Sequence, residues 1–320
     1  MGNIITLSIV QTALELGCIY ALVAMALFIS FTILDIADLS TDGCFTLGCA
    51  VCGTITILGH PILGLLAAMA AGILSGYITA FLQTKMGIQS ILAGIIVNTG
   101  LYTINIAVMG FSSNLNLFGC DTIFTWGKAC MGTTWANLVI AFLVVLVVAV
   151  LIAWFLNTRL GLSIRATGDN PDMVRASSIN TKFMITIGLC VANALTGLSG
   201  GLLAQYQRSC DINLGTGMVT IALASLIIGE SLVGKGSMFA RLMGVILGSC
   251  LYRFIVAVSL RMKVPSEALK LVSALIVAVA IAFPYLRRQF AFRKAKRTAQ
   301  NENEAYIQEL LAESRKGGNL

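Results

Sequence analysis

Long apolar runs, most of them near or above the length of a bilayer crossing, alternate along this chain with short polar and charged stretches. A helix needs about 20 apolar residues to span the hydrocarbon layer. The runs predict nine helical crossings, at 4 to 33, 44 to 59, 62 to 83, 89 to 110, 135 to 157, 182 to 205, 217 to 233, 238 to 260 and 267 to 286. The fold class expected is all-α: a polytopic membrane protein with one transmembrane domain over residues 1 to 286 and a basic tail over 287 to 320. The first run begins at Met1 with neither a basic leader nor a small-residue cleavage site, so the first helix is expected to be retained. Composition agrees, since 58% hydrophobic and 11% charged residues with a mean hydropathy of +0.90 exclude a soluble domain of this length.

Lysine and arginine concentrate on cytoplasmic connections, and this orients the chain. The tail carries Arg287, Arg288, Arg293, Lys294, Lys296, Arg297, Arg315 and Lys316, and the segment after 157 carries Arg159, Arg165, Arg175 and Lys182. Both are expected inside, with Lys85, Lys235 and Arg241. Lys128, Arg208, Arg261, Lys263 and Lys270 then fall outside, as does the N-terminus. The cluster at Arg261 and Lys263 runs against the trend.

The stretch GESLVGKGS (229 to 237) nearly spells a phosphate-binding loop, but it follows an apolar helix instead of a strand, and Gly236 stands where the motif needs Ser or Thr. It reads as a turn between crossings. Any ATP hydrolysis is expected in a separate polypeptide.

The connection from 158 to 181 carries more information. Gly168 is read as breaking the preceding segment, Asp169 or Asn170 can cap the next, and Pro171 suits a first helical position. These signals predict a short helix from Pro171 to about Ser178, with Asp172 and Arg175 complementing its dipole. Such a helix is either an ordinary connector or the handle by which a motor subunit moves a permease from below.

The phrase RATGDNPDMVRASSIN (165 to 180) resembles the cytoplasmic coupling segment of ABC-importer permeases of the branched-chain amino acid, ribose and nucleoside class. LDIADLSTDGCFTLG (34 to 48) is similar to a phrase of a subgroup found beside a binding protein and an ATPase, sometimes assigned to aromatic amino acids; 91 to 105 and 211 to 230 continue the likeness. Ser177-Ser178 replaces a small residue and glycine, and Cys44 a Ser or Thr. The resemblance implies a permease subunit of an ATP-driven importer in a prokaryotic cytoplasmic membrane, with its C-terminus inside. It implies a homodimer with two ATPase subunits and an external binding protein, moving an amino acid. Coupling to the ATPase would run through Gly168, Asp169, Asn170, Pro171, Asp172 and Arg175. The alternative is an ion-coupled secondary transporter or channel, which needs no such lever.

Each half reads as a long helix, a polar interruption (DIADLSTDG or RSCDINLGTG) and a further helix, which predicts an inverted five-helix repeat. Ionisable and amide groups inside the bilayer are costly and mark candidate pathways. Glu15 sits within the first crossing. Asp38 and Asp42, four apart, share a face on any helical turn; they are placed either to receive an ammonium group or to cap broken helices, and the interruption itself favours caps. Asn98 and Asn105 share a face of the fourth crossing, and Asn193, Asp211 and Glu230 complete the candidate pathway, with interhelical hydrogen bonding as the plainer role for any single Asn.

The Cys44, Cys49 and Cys52 group lies on an apolar helix and reads as core packing, whereas Cys120 and Cys130 share an outer loop and are expected to be able to pair. Gly72, Gly76, Gly197, Gly200 and Gly201 mark close helix contacts. His60 is the only histidine, so nucleophilic chemistry lacks its base. No enzyme activity, metal, cofactor or nucleic-acid partner is expected; the tail segment with Ile307, Leu310 and Leu311 is read as a headgroup- or ATPase-facing helix, or as solvated chain.

Overall fold

The computed structural model describes residues 7–132, 135–234 and 236–261, with scattered positions between 271 and 300. Its helices are α1 (Leu7–Leu27), which runs into a π-helical turn (Phe28–Ile33), α2 (Thr41–Ile57), α3 (Pro61–Thr84), α4 (Ser90–Val108), α5 (Ile123–Met131), α6 (Ala136–Leu156), α7 (Arg159–Asp169), α8 (Pro171–Ala176), α9 (Thr181–Gln207), α10 (Met218–Val233) and α11 (Met238–Arg261). Two three-residue strands, β1 (Asn114–Asn116) and β2 (Ser209–Asp211), pair antiparallel, Leu115 opposite Cys210.

Six helical stretches are long and apolar enough to cross a membrane: Leu7–Ile33, Pro61–Thr84, Ser90–Val108, Ala136–Leu156, Thr181–Gln207 and Met238–Leu260. α2 and α10 have only 17 and 16 residues. At about 1.5 Å per residue they rise roughly 25 Å, short of the roughly 30 Å hydrocarbon layer. Full spans and short apolar helices thus stand where eight of the nine crossings are expected. The ninth, 267 to 286, falls mainly outside the described residues, as does the tail segment 307 to 311.

Two expectations are corrected. The 158 to 181 connection holds two helices instead of one, and Gly168 lies inside α7 instead of breaking it. Thr158 caps α7 by accepting from the Gly161 N–H, and the chain turns only at Asn170, whose φ of −156° precedes Pro171. The 111 to 135 loop contains regular structure: β1, and α5 with a capping box in which Thr122 and Thr125 exchange bonds.

α1 and α9 form the centre of the bundle, buried over most of their length, whereas α3, α4, α6 and α11 each keep a broad apolar face exposed. α9 packs along α2 and α3 with almost no side-chain layer between backbones. Gly72 of α3 rests on the Asn193 carbonyl, and Gly197 of α9 on that of Ala68, so small residues set the helix spacing as expected. Cys49 Sγ donates to the Gly200 carbonyl at 2.9 Å and Cys44 Sγ to the Asn193 carbonyl at 3.4 Å. These thiols are seam-filling groups with weak donors, which is why an apolar helix carries them. The side chain of Cys130 lies outside the described residues, and with it the pairing with Cys120.

A side chain at Gly72 has nowhere to go. Gly72→Val is expected to force α3 from α9 at a cost of about 1–3 kcal/mol, read as a lower thermal midpoint in detergent, whereas Gly59→Ala, with open space around the Cβ position, is expected to cost less despite its positive φ.

Candidate substrate site and coupling segment

The chain leaves the π-helical turn at Ile33 and crosses a non-helical stretch before α2 starts at Thr41. The free end of α2 is held by Asp38, which is buried. Asp38 Oδ1 accepts from the Ser40 N–H at 2.8 Å and the Ser40 hydroxyl at 2.6 Å, while Oδ2 accepts from Asn193 Nδ2 of α9 at 2.8 Å. One turn on, Asp42 reaches across to the other short helix. Its Oδ2 accepts from the Gly217 N–H and its Oδ1 from the Val219 N–H, both at 2.9 Å, at the start of α10. Thr46 Oγ1 accepts from the Gly215 N–H at 3.1 Å, bringing the connection before α10 against α2. Gly217 sits at φ +84°, which lets the chain turn into α10 there. Asp42 therefore caps α10, while Asp38 pins the turn just ahead of α2 and ties it to α9.

Beside this junction lies a cavity of about 420 Å³, lined among others by Asp42, Asn98, Tyr102, Asn105, Asn213 and Thr216. It opens between α2, α4 and the β2–α10 connection. Asn105 is buried; its Nδ2 donates to the Gly43 carbonyl at 3.1 Å and its Oδ1 has no partner. Of the expected pathway residues, Asp42, Asn98 and Asn105 meet at this cavity. Asp38 and Asn193 pair one layer away. Asp211 accepts from the Asn213 N–H at 2.8 Å and shapes the connection without lining the cavity. Glu230, near the other end of α10, binds Arg241 at 2.7 Å, and that guanidinium lies 4.8 Å from the Phe28 ring centroid. Glu15 accepts from the Tyr206 hydroxyl at 2.7 Å and from Gln11 at 2.9 Å, tying α1 to α9.

α7 and α8 lie at the end of the bundle where the first span stops. Gly168 presses against the Ile33 carbonyl and Leu34, at the exit of the π-helical turn. Asn170 caps α8, its Oδ1 accepting from the Met173 N–H at 3.0 Å, and Val174 is buried. Asp169, Asp172 and Met173 stay exposed. Arg175 pairs with Asp172 at 3.3 Å and donates from Nε to Thr181 at 3.2 Å. Ser178 adopts φ +60°, the left-handed region that glycine enters most easily.

The model of the branched-chain amino acid transport system permease component matches residues 9–282 of this chain. The chain belongs to that permease family. Over 265 residues the permease is 32% identical to the tyrosine transport system permease protein of Clostridioides difficile, covering 82% of this chain and 87% of that one. It is 27% identical over 230 residues to the ribose import permease protein RbsC of Escherichia coli K12 (68% and 67% covered). It is also 24% identical over 187 residues to the nucleoside ABC transporter permease protein NupB of Lactococcus lactis (52% and 50% covered).

Two features of the permease escape a reading of its sequence. Gln205, fully buried, donates to the Pro61 carbonyl at 2.8 Å and to Thr56 at 3.2 Å and accepts from the Ile123 N–H at 3.2 Å, so one amide joins α9 to the α2–α3 turn and α5. Arg253 lies within α11, its guanidinium 3.4 Å from the centroid of the Tyr20 ring. The signal was present, a charge inside an apolar run; what it packs against was not.

Asp42→Ala is expected to leave the Gly217 and Val219 amides bare and cost about 2–4 kcal/mol, near 1–2 per amide, with Asp42→Asn between it and wild type, both read as detergent melting midpoints. A double-mutant cycle on Asp38→Ala and Asn193→Ala is expected to give a coupling energy of about 1–2 kcal/mol.

Proposed function

We propose that this permease is the membrane-spanning subunit of an ATP-driven importer that moves an amino acid, aromatic or branched, across the cytoplasmic membrane of a prokaryote. It works as a homodimer with two ATPase subunits and an external binding protein, and its C-terminus is cytoplasmic. The observation that carries the reading is the contact of Gly168 with the end of the first span. A connector between two membrane helices needs no close packing on a third element, whereas a lever does. Asp169, Asp172, Met173 and the Asp172–Arg175 pair face away from the bundle, in reach of a separate subunit.

A push on α8 passes through α7 to Ile33 and Leu34, and through the Asp38–Asn193 pair to the seam between α2 and α9. From there Asp42 carries it to the start of α10 and the cavity. The two units of long helix, interruption and short helix are the moving pieces of an inverted repeat, and the cavity between them is the passage. Selection of the solute rests on the binding protein first. The substrate class is supported by the relative named as a tyrosine permease.

The test is a pull-down of tagged chain from its native membrane in mild detergent, with mass spectrometry of what co-purifies. An ATPase subunit is expected with the wild type and is expected to be lost with the Asp172→Lys, Arg175→Glu variant. Gly168→Leu is expected to retain the ATPase subunit but lose at least tenfold in ATP-driven uptake, because it breaks the lever above the docking face. Recovery of this chain alone, transporting in liposomes on an ion gradient, would overturn the proposal.

A further inference from the structure

The cavity beside α2, α4 and α10 has a polarity of its own, and it points to the part of the solute held there. Two short helices begin next to it, and helix starts within membrane transporters are natural seats for carboxylates. At α10 the seat is taken: Asp42 holds the Gly217 and Val219 N–H groups, while Asp38 holds the Ser40 N–H just ahead of α2. A solute carboxylate at the α10 start would find these amides already bonded and would face the charge of Asp42.

Hydroxyls and the Asn98 and Asn213 amides on the cavity wall can donate or accept, but its charged group and its buried unmet atom are both acceptors. Asp42 is the one charged side chain among the described residues that line the cavity, and two hydrogen bonds leave a carboxylate roughly two further acceptor positions. Asn105 makes the stronger statement. It is 1% exposed, and its bond from Nδ2 to the Gly43 carbonyl fixes which way the amide faces, leaving Oδ1 buried without a donor. An unmet acceptor of this kind costs about 1–3 kcal/mol. A ligand that brings an N–H recovers that cost, and one that brings a positive charge gains from Asp42 as well. The volume of about 420 Å³ suits a small solute.

We infer that the cavity takes the protonated amine end of the transported solute, with Asp42 as countercharge, Asn105 Oδ1 accepting once its covered amide turns to the ligand, and the solute carboxylate directed away from the α2–α10 junction. This rests on the amino-acid reading above and adds an orientation to it.

The test uses the purified full chain in nanodiscs and two probes that each keep one end of an aromatic amino acid, read by saturation-transfer NMR. Tyramine keeps the amine and 3-(4-hydroxyphenyl)propionate the carboxylate. Tyramine is expected to bind at neutral pH and the propionate not to. Asn105→Leu is expected to weaken tyramine at least tenfold. Retained helix content and a cooperative melt in the variant confirm that the fold is kept. Binding of the propionate as tight as that of tyramine, or unaltered tyramine binding in a folded Asn105→Leu protein, would sink the inference. ATP-driven uptake in vesicles, with the ATPase and binding protein supplied, separates the two levels. Uptake of L-tyrosine with propionate-selective binding overturns the orientation and leaves the amino-acid reading standing. Uptake of D-ribose alone, with tyramine binding still dependent on Asn105, overturns that reading and leaves the acceptor character of the cavity standing.

Discussion

A backbone amide without a partner inside a bilayer costs several kcal/mol, because no water reaches it. α2 and α10 both begin inside the fold beside the cavity, and each start exposes such amides. Asp42 meets two of them at α10, and Asp38 holds the Ser40 N–H just ahead of α2. Because Asp42 sits on α2 and serves α10, the two short helices cannot part without baring buried N–H groups. The cavity, the glycine-lined seam with α9 and the placement of Asn105 all follow from holding these two helix starts together.

The same economy explains the division between helices. α1 and α9 take the centre, where small residues bring backbones into contact. α6, apolar all round, faces outward along most of its length. In a medium that is itself apolar, burial does not choose a helix's neighbours. Shape and a few polar ties do. The ties are the Asp38–Asn193 pair, the Glu15–Tyr206 bond and the Gln205 amide, and each joins segments far apart in the chain.

This is also why some of the molecule was legible in its sequence and some was not. Lipid demands continuous apolar runs, so the runs that become α1, α3, α4, α6, α9 and α11 stand out directly. Asp38 and Asp42 were visible as carboxylates at a break, and the break favoured a capping role over an ammonium-binding one. Their partners, Asn193 and the Gly217–Val219 backbone, lie 155 and more residues away and no local pattern names them. Gly168 was misread for a related reason. A glycine in a polar segment looks like a helix breaker, but here it clears room for the Ile33 carbonyl, a tertiary fact. Asn98 and Asn105 were legible as one face of a helix. That Asn105 would keep an unmet oxygen was not, because Gly43 takes its other end.

The π-helical turn at Phe28–Ile33 carries a consequence for phase. The Leu34 N–H donates to the Ile29 carbonyl at 3.0 Å, one residue further than in an α-helix. One extra residue in a helix with 3.6 residues per turn rotates everything beyond it by about 100°. The direction in which Ile33 and Leu34 meet α7, and from which Asp38 then turns toward Asn193, is thus set by a residue count. Deleting a single apolar residue there would leave hydropathy almost unchanged and point the whole junction elsewhere, so in this span the chain is constrained in angle as tightly as in polarity.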